Sequence, residues 1–138
     1  MKRLFVDTSA WDAIEDGGDK NHAAAMHFKA HVSDDYILVT TDYILDETYT
    51  LLLLNIGHQR TLAFHEKIVE LEKGGILQIV HISELLREDA WKIFERFDTD
   101  KFWSFTDCTS LAVIQELNIE EVFAFDHHFD QMGLSRLP

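Results

Sequence analysis

Four short runs of apolar residues punctuate this chain, at intervals that leave room for one or two helices between them. They are Arg3-Leu4-Phe5-Val6, residues 36–39 (YILV), residues 76–82 (ILQIVHI) and residues 122–125 (VFAF). Runs this short and this apolar at consecutive positions suit strands covered on both faces, as in a parallel sheet packed between helices. The segments between them carry helical spacing. A short helix is predicted over residues 11–14, ended by Gly17-Gly18, then an alanine-rich helix over 20–32 with Ala25, Met26, Phe28 and Val32 near one face. Ile44, Leu45, Thr48, Tyr49, Leu51 and Leu52 recur at three and four within 43–56, a helix closed by Gly57, and another follows over 59–73 up to Gly74-Gly75. Ser83 caps a helix with an apolar stripe of Leu86, Ala90, Ile93, Phe94 and Phe97. After the loop DTDKFWSF, residues 106–117 form a last helix with Cys108, Leu111, Ala112 and Gln115 along one side, and 134–138 read as a tail. Strands alternating with helices predict one α/β domain over residues 1–138 with a mainly parallel sheet.

Composition agrees with a packed domain: of 138 residues, 46% are hydrophobic and 10 are Phe, while one Pro and six Gly leave little for linkers. The longest uninterrupted apolar stretch, Leu51 to Leu54, is far too short for a bilayer, and Lys2-Arg3 leads straight into a strand without a secretory h-region. Cys108 is the single cysteine, so no internal disulfide is possible, and a cytoplasmic location is expected. The formal net charge of −13 repels nucleic acid at long range. A polyanionic substrate therefore requires local cations or a second protein surface.

The topology assigns a place to several acids. Ligands of open parallel sheets bind beyond the carboxyl ends of the strands. Asp7 and Asp126 both follow predicted strands, Asp107 lies in the first turn of the last long helix, and Glu47 lies about one turn into the helix after the second strand. Each has an ordinary explanation taken singly: Asp7 as a helix cap, Asp107 as a partner of its helix dipole, Asp126 as a turn cap, Glu47 as a solvated side chain. Asp12, Asp42, Asp46, Asp100 and Asp130 lie nearby in sequence as competitors. Convergence of four carboxylates on one rim needs a cation to offset their repulsion, and Mg²⁺ or Mn²⁺ takes such oxygen ligands.

These segments carry a specific resemblance. LFVDTSAW at the start, ILDETYTLLL in the middle, and SFTDCTSLAVIQELNI and VFAFDHHFDQMGL near the end are similar, in order and spacing, to PIN-domain ribonucleases of the VapC type, the toxins of toxin–antitoxin pairs. The resemblance spans essentially the whole chain and implies a three-layer α/β/α fold with a central, mainly parallel sheet of four to five strands. It implies that Asp7, Glu47, Asp107 and Asp126 are the catalytic acids. Asp7 and Asp107 would be direct ligands of Mg²⁺ or Mn²⁺, with Glu47 and Asp126 holding waters or a second ion. Thr8 or Ser9, and Thr106, stand beside these acids and are expected to orient them by hydrogen bonds. RNA would be cleaved to a 5′-phosphate and a 3′-hydroxyl without a covalent protein intermediate. A cognate antitoxin covering the groove and a homodimer, aided by apolar surface on the early helices, are implied partners.

Other chemistries fit less of the chain. His27 and His31, four apart on one helix, offer a zinc pair, but there is no H-E-x-x-H and Cys108 has no partner at ligand spacing. Of the adjacent His127 and His128, at most one faces the site; His128 either meets phosphate or donates a proton, or is a loop histidine against Phe129. Phe102, Trp103 and Phe105 read as core or interface before a base-stacking platform. A phosphatase with an aspartate nucleophile in a D-x-D motif would need Asp at position 9, where the chain has Ser9. A PIN-fold scaffold without catalysis is the remaining rival.

Overall fold

The computed structural model describes residues 1–32 and 34–138. Its elements run β1 (Lys2–Val6), α1 (Thr8–Glu15), α2 (His22–His31), β2 (Tyr36–Thr41), α3 (Asp42–Ile56), α4 (His58–Lys73), β3 (Leu77–Val80), α5 (Glu84–Phe97), α6 (Phe105–Glu116), β4 (Glu121–Phe123), α7 (His128–Gln131) and β5 (Ser135–Leu137). The five strands form one sheet in the order β3-β2-β1-β4-β5, and every neighbouring pair is parallel. The chain winds outward from β1 to β3, then returns across the sheet to lay β4 on the other side of β1. That reversal makes the β1–β4 seam the switch point, where the chain diverges to opposite sides and a crevice opens beyond the strand ends.

Burial explains the unbroken apolar runs. Leu4, Phe5 and Val6 are 0%, 0% and 1% exposed, which requires cover on both faces of β1. Leu4, Val6, Leu38 and Phe123 share one face with Trp11 of α1, Phe28 of α2 and Phe64 of α4. The rings interlock there: Trp11 meets Phe64 edge-on at 5.8 Å and Phe28 meets Phe123 at 4.5 Å. Alternation turns Phe5, Val39 and Val122, all fully buried, to the opposite face.

Helix faces differ from expectation where tertiary packing overrides spacing. α6 is buried all round from Asp107 to Ile114, because it packs against α5 and also meets α3; Gln115, expected along one side with Leu111 and Ala112, is exposed. On α5 the buried stripe stops at Leu86, Ala90 and Ile93. Phe94 instead stacks on Trp91 at 5.4 Å, and both Phe94 and Phe97 stay partly exposed. In α2 only Ala25 is buried, and Met26 faces out. The expected tail is ordered structure: α7 buries Phe129 completely, Gly133 turns the chain at φ 76°, and β5 pairs with β4 through Val122↔Arg136. Among the described residues no helix is long and apolar enough to cross a membrane.

Candidate active site

Asp7 is both things the sequence allowed. It caps α1, its carboxylate accepting the Ser9 N–H at 3.1 Å, and it sits at the carboxyl end of the central strand beside β4. Its own N–H donates to the Phe123 carbonyl at 3.1 Å, so the β1–β4 ladder fixes its position. Only 5% of Asp7 is exposed. Burial pushes its carboxyl up to about 7 despite the Ser9 hydrogen bonds, and repulsion from Asp107 and Glu47 adds to the rise.

Asp107 arrives from α6 through a reciprocal cap. Ser104 Oγ accepts the Asp107 N–H at 3.0 Å, while Asp107 Oδ2 accepts the Ser104 N–H at 3.1 Å. The S-x-x-D spacing in SFTD was the signal for Ser104. Burial raises the Asp107 carboxyl; the His128 and Ser104 hydrogen bonds oppose the rise, and the Asp126 charge adds to it. Asp126 lies three residues past β4, and its Oδ1 accepts the His128 N–H at 2.9 Å. His128 Nδ1 donates to Asp107 Oδ2 at 2.8 Å and lies 3.3 Å from Asp126 Oδ1. His128 thus faces the acids, whereas His127 is exposed and pairs with Asp130. Ligand atoms of Asp107, Asp126 and His128 all lie within 4.8 Å of one another.

Glu47 is exposed on α3, lining an open groove with Thr8, Tyr43, Asp46 and Thr106. The repulsion it exerts on Asp7 places it on the same rim. The neighbouring hydroxyls divide. Ser9 Oγ donates to Asp7 Oδ2 at 2.7 Å, as an orienting group would. Thr8 Oγ1 instead donates to the Ile44 carbonyl at 3.4 Å, fastening α1 to α3. Thr106 accepts through its carbonyl from Thr109 Oγ1 at 2.6 Å, and among the described residues its side chain makes no orienting bond to an acid.

Three of the competing acids have other work. Asp42 Oδ1 accepts the Ile82 N–H at 2.9 Å, Asp130 pairs with Arg136 at 3.1 Å, and Asp12 meets Asn55 of α3 at 3.4 Å. His27 and His31 stack at 4.2 Å, with His31 Nδ1 donating to the His27 carbonyl, and they join no metal-sized cluster among the described residues. Trp103 is buried and Phe102 is 87% exposed, so no three-ring platform forms.

What remains on the rim is a set of carboxylates with no lysine or arginine ion pair among the described residues. A buried carboxyl near 7 with two acidic neighbours is a donor set that suits a hard divalent cation. Residues 4–134 match the PIN domain, and the chain belongs to that family. It is 33% identical over 130 residues to the 23S rRNA-specific endonuclease VapC20 of Mycobacterium tuberculosis, covering 94% of each chain. A VapC ribonuclease of Archaeoglobus fulgidus is 27% identical over 136 residues, 96% of this chain and 82% of that one. The crystal structure of VapC20, described as a sarcin–ricin loop cleaving toxin, superposes with a TM-score of 0.83 at 32% identity over 95% of both chains. FitAcB from Neisseria gonorrhoeae shares the fold, with a TM-score of 0.68 at 14% identity over 98% of this chain and 96% of that one. PIN nucleases use divalent metals, and the acids on this rim are where the chain would hold one.

Proposed function

We propose that this chain is a Mg²⁺- or Mn²⁺-dependent endoribonuclease and the toxin of a toxin–antitoxin pair. The observation that carries the reading is the seam between β1 and β4: adjacent parallel strands deliver Asp7 and Asp126 to one rim, where α6 adds Asp107. Asp7 and Asp107, buried and held by Ser9 and Ser104, are the rigid pair that would bind the cation directly. Glu47 and Asp126, more open to solvent, would hold its waters or a second ion and leave room for a phosphate. A bound cation would neutralise phosphate charge and acidify a water for in-line attack. The likeness to VapC20 favours ribosomal RNA as substrate, with an antitoxin closing the groove. A homodimer is supported by exposed apolar side chains on α3 and α4, Leu53, Leu54 and Leu62.

The test is Mn²⁺-dependent cleavage of purified 23S rRNA with mapping of the new ends, using Asp7→Asn and Asp107→Asn beside the parent protein. Metal-dependent cuts that both substitutions abolish are expected. Cleavage that persists in Asp7→Asn sinks the proposed site, and no cleavage of total RNA by the parent protein favours the scaffold reading.

A further inference from the structure

We propose that His128 Nδ1 is itself a ligand of a second divalent cation, held between Asp107 and Asp126, which makes this a mixed oxygen–nitrogen site selective for Mn²⁺ over Mg²⁺. The inference rests on the proposed function and adds to it a residue outside the acidic set.

α7 begins at His128, directly after the loop that carries Asp126, and Phe129 is fully buried, so the histidine is anchored from its next neighbour. Its backbone N–H holds Asp126 Oδ1 at 2.9 Å while its ring reaches across to Asp107 Oδ2 at 2.8 Å. One residue therefore spans the two acids on different elements, and the ring is only 30% exposed.

Ligands about 2.1 Å from a cation lie roughly 3 Å apart when adjacent and roughly 4 Å apart when opposite. The cluster's ligand atoms fall within 4.8 Å, with ring-to-acid separations of 2.8 and 3.3 Å, so a cation needs little rearrangement to sit among them. The change is one of tautomer. A hydrogen bond to the Asp107 carboxylate calls for the proton on Nδ1; with the proton on Nε2, the same nitrogen offers a lone pair to a cation between the acids.

Imidazole nitrogen adds more to the affinity for Mn²⁺ than for Mg²⁺, which prefers a shell of oxygen and keeps its waters. Losing the nitrogen therefore lowers Mn²⁺ affinity more than Mg²⁺ affinity, whereas losing a mere hydrogen-bonding partner of Asp107 lowers both alike.

The experiment uses the full chain loaded with Mn²⁺ and reads the electron spin-echo modulation of the ion, with calorimetric affinities for Mn²⁺ and Mg²⁺. Expected are a ¹⁴N coupling of a directly bound imidazole in the parent protein and in His127→Gln, its loss in His128→Gln, and a fall in Mn²⁺ affinity of about tenfold or more with Mg²⁺ affinity little changed. Mn²⁺ binding and RNA cleavage without any nitrogen coupling in the parent protein overturn the ligand assignment and leave the nuclease reading standing. Absence of Mn²⁺ binding overturns both. The parent spectrum decides even if His128→Gln folds poorly.

Discussion

Ser9 Oγ lies 2.7 Å from Asp7 Oδ2 and accepts the Phe125 N–H at 3.0 Å, so one hydroxyl ties the acid at the end of β1 to the segment that leads to Asp126. Replacing it with Ser9→Ala removes a hydrogen bond to a carboxylate and strands the Phe125 N–H. The expected loss in denaturant unfolding is about 1–3 kcal/mol. Because the Ser9 bonds are what hold the Asp7 carboxyl down, the acid limb of the cleavage–pH profile should move to higher pH in this variant. An unmoved limb would show that Ser9 is structural only.

Asp7 itself should cost the metal-free protein stability. Its folded carboxyl is raised from 3.8 to about 7, so between those values the folded chain binds a proton that the unfolded chain has released. Stability from this group is therefore greatest at low pH and is lost as pH rises from about 4 to about 7, by up to roughly 4 kcal/mol. Asp7→Asn keeps a good helix cap and removes that loss. It should unfold at higher denaturant than the parent protein at pH 8, with the difference vanishing near pH 4, while RNA cleavage disappears. Adding Mn²⁺ should narrow the gap by stabilising only the parent. Equal stabilities across pH 4–8 would refute the assignment of buried repulsion to Asp7.

How much of this was legible in the sequence follows from which forces act locally. β1 and β4 were visible because both-sided burial leaves no polar residue between Leu4 and Val6, and the acids follow those runs directly. Glu47 and Asp107 could be placed on the rim from helix phase and connectivity. Ser9 and Thr8 could not be told apart, because their partners, Phe125 and Ile44, are 116 and 36 residues away. β5 was missed since three residues carry no periodicity and its register comes wholly from β4. Adjacent histidines in a turn have no phase to read, so only the fold of α7 selects His128.

Asp12 provides a contrast to Asp7. It is buried on the same short helix, and burial raises its carboxyl to about 6, with Asp19 and Asp16 adding repulsion and Asn55 opposing. The direction of the linkage is the same, with stability lost as pH rises from about 4 to about 6. Yet Asp12 donates nothing to the rim. Asp12→Asn should stabilise the chain above pH 6 and leave RNA cleavage within about twofold of the parent. Together the two variants separate repulsion tolerated for function from repulsion that is merely structural. A nuclease defect in Asp12→Asn would mean that the α1–α3 contact also shapes the site.

Trp103 connects the loop before α6 to the end of the chain that carries Asp126. It is 5% exposed; its Nε1 donates to Gln131 Oε1 at 2.8 Å and its backbone N–H donates to Asp98 Oδ1 at 2.8 Å. The next residue is Ser104, which caps Asp107, so the indole sets the spacing between α6 and α7 from behind the acids. Trp103→Ala should cost about 3–5 kcal/mol by emptying a buried site. Trp103→Phe keeps most of the apolar volume and loses the hydrogen bond to Gln131, for about 1 kcal/mol. If the indole aligns the acids, Trp103→Phe should also weaken Mn²⁺ binding at a temperature where it is fully folded, and calorimetry at that temperature checks it. Unchanged affinity in a folded Trp103→Phe would confine Trp103 to stability, and leave the Ser104 cap and the His128 bridge as the contacts that hold Asp107 in place.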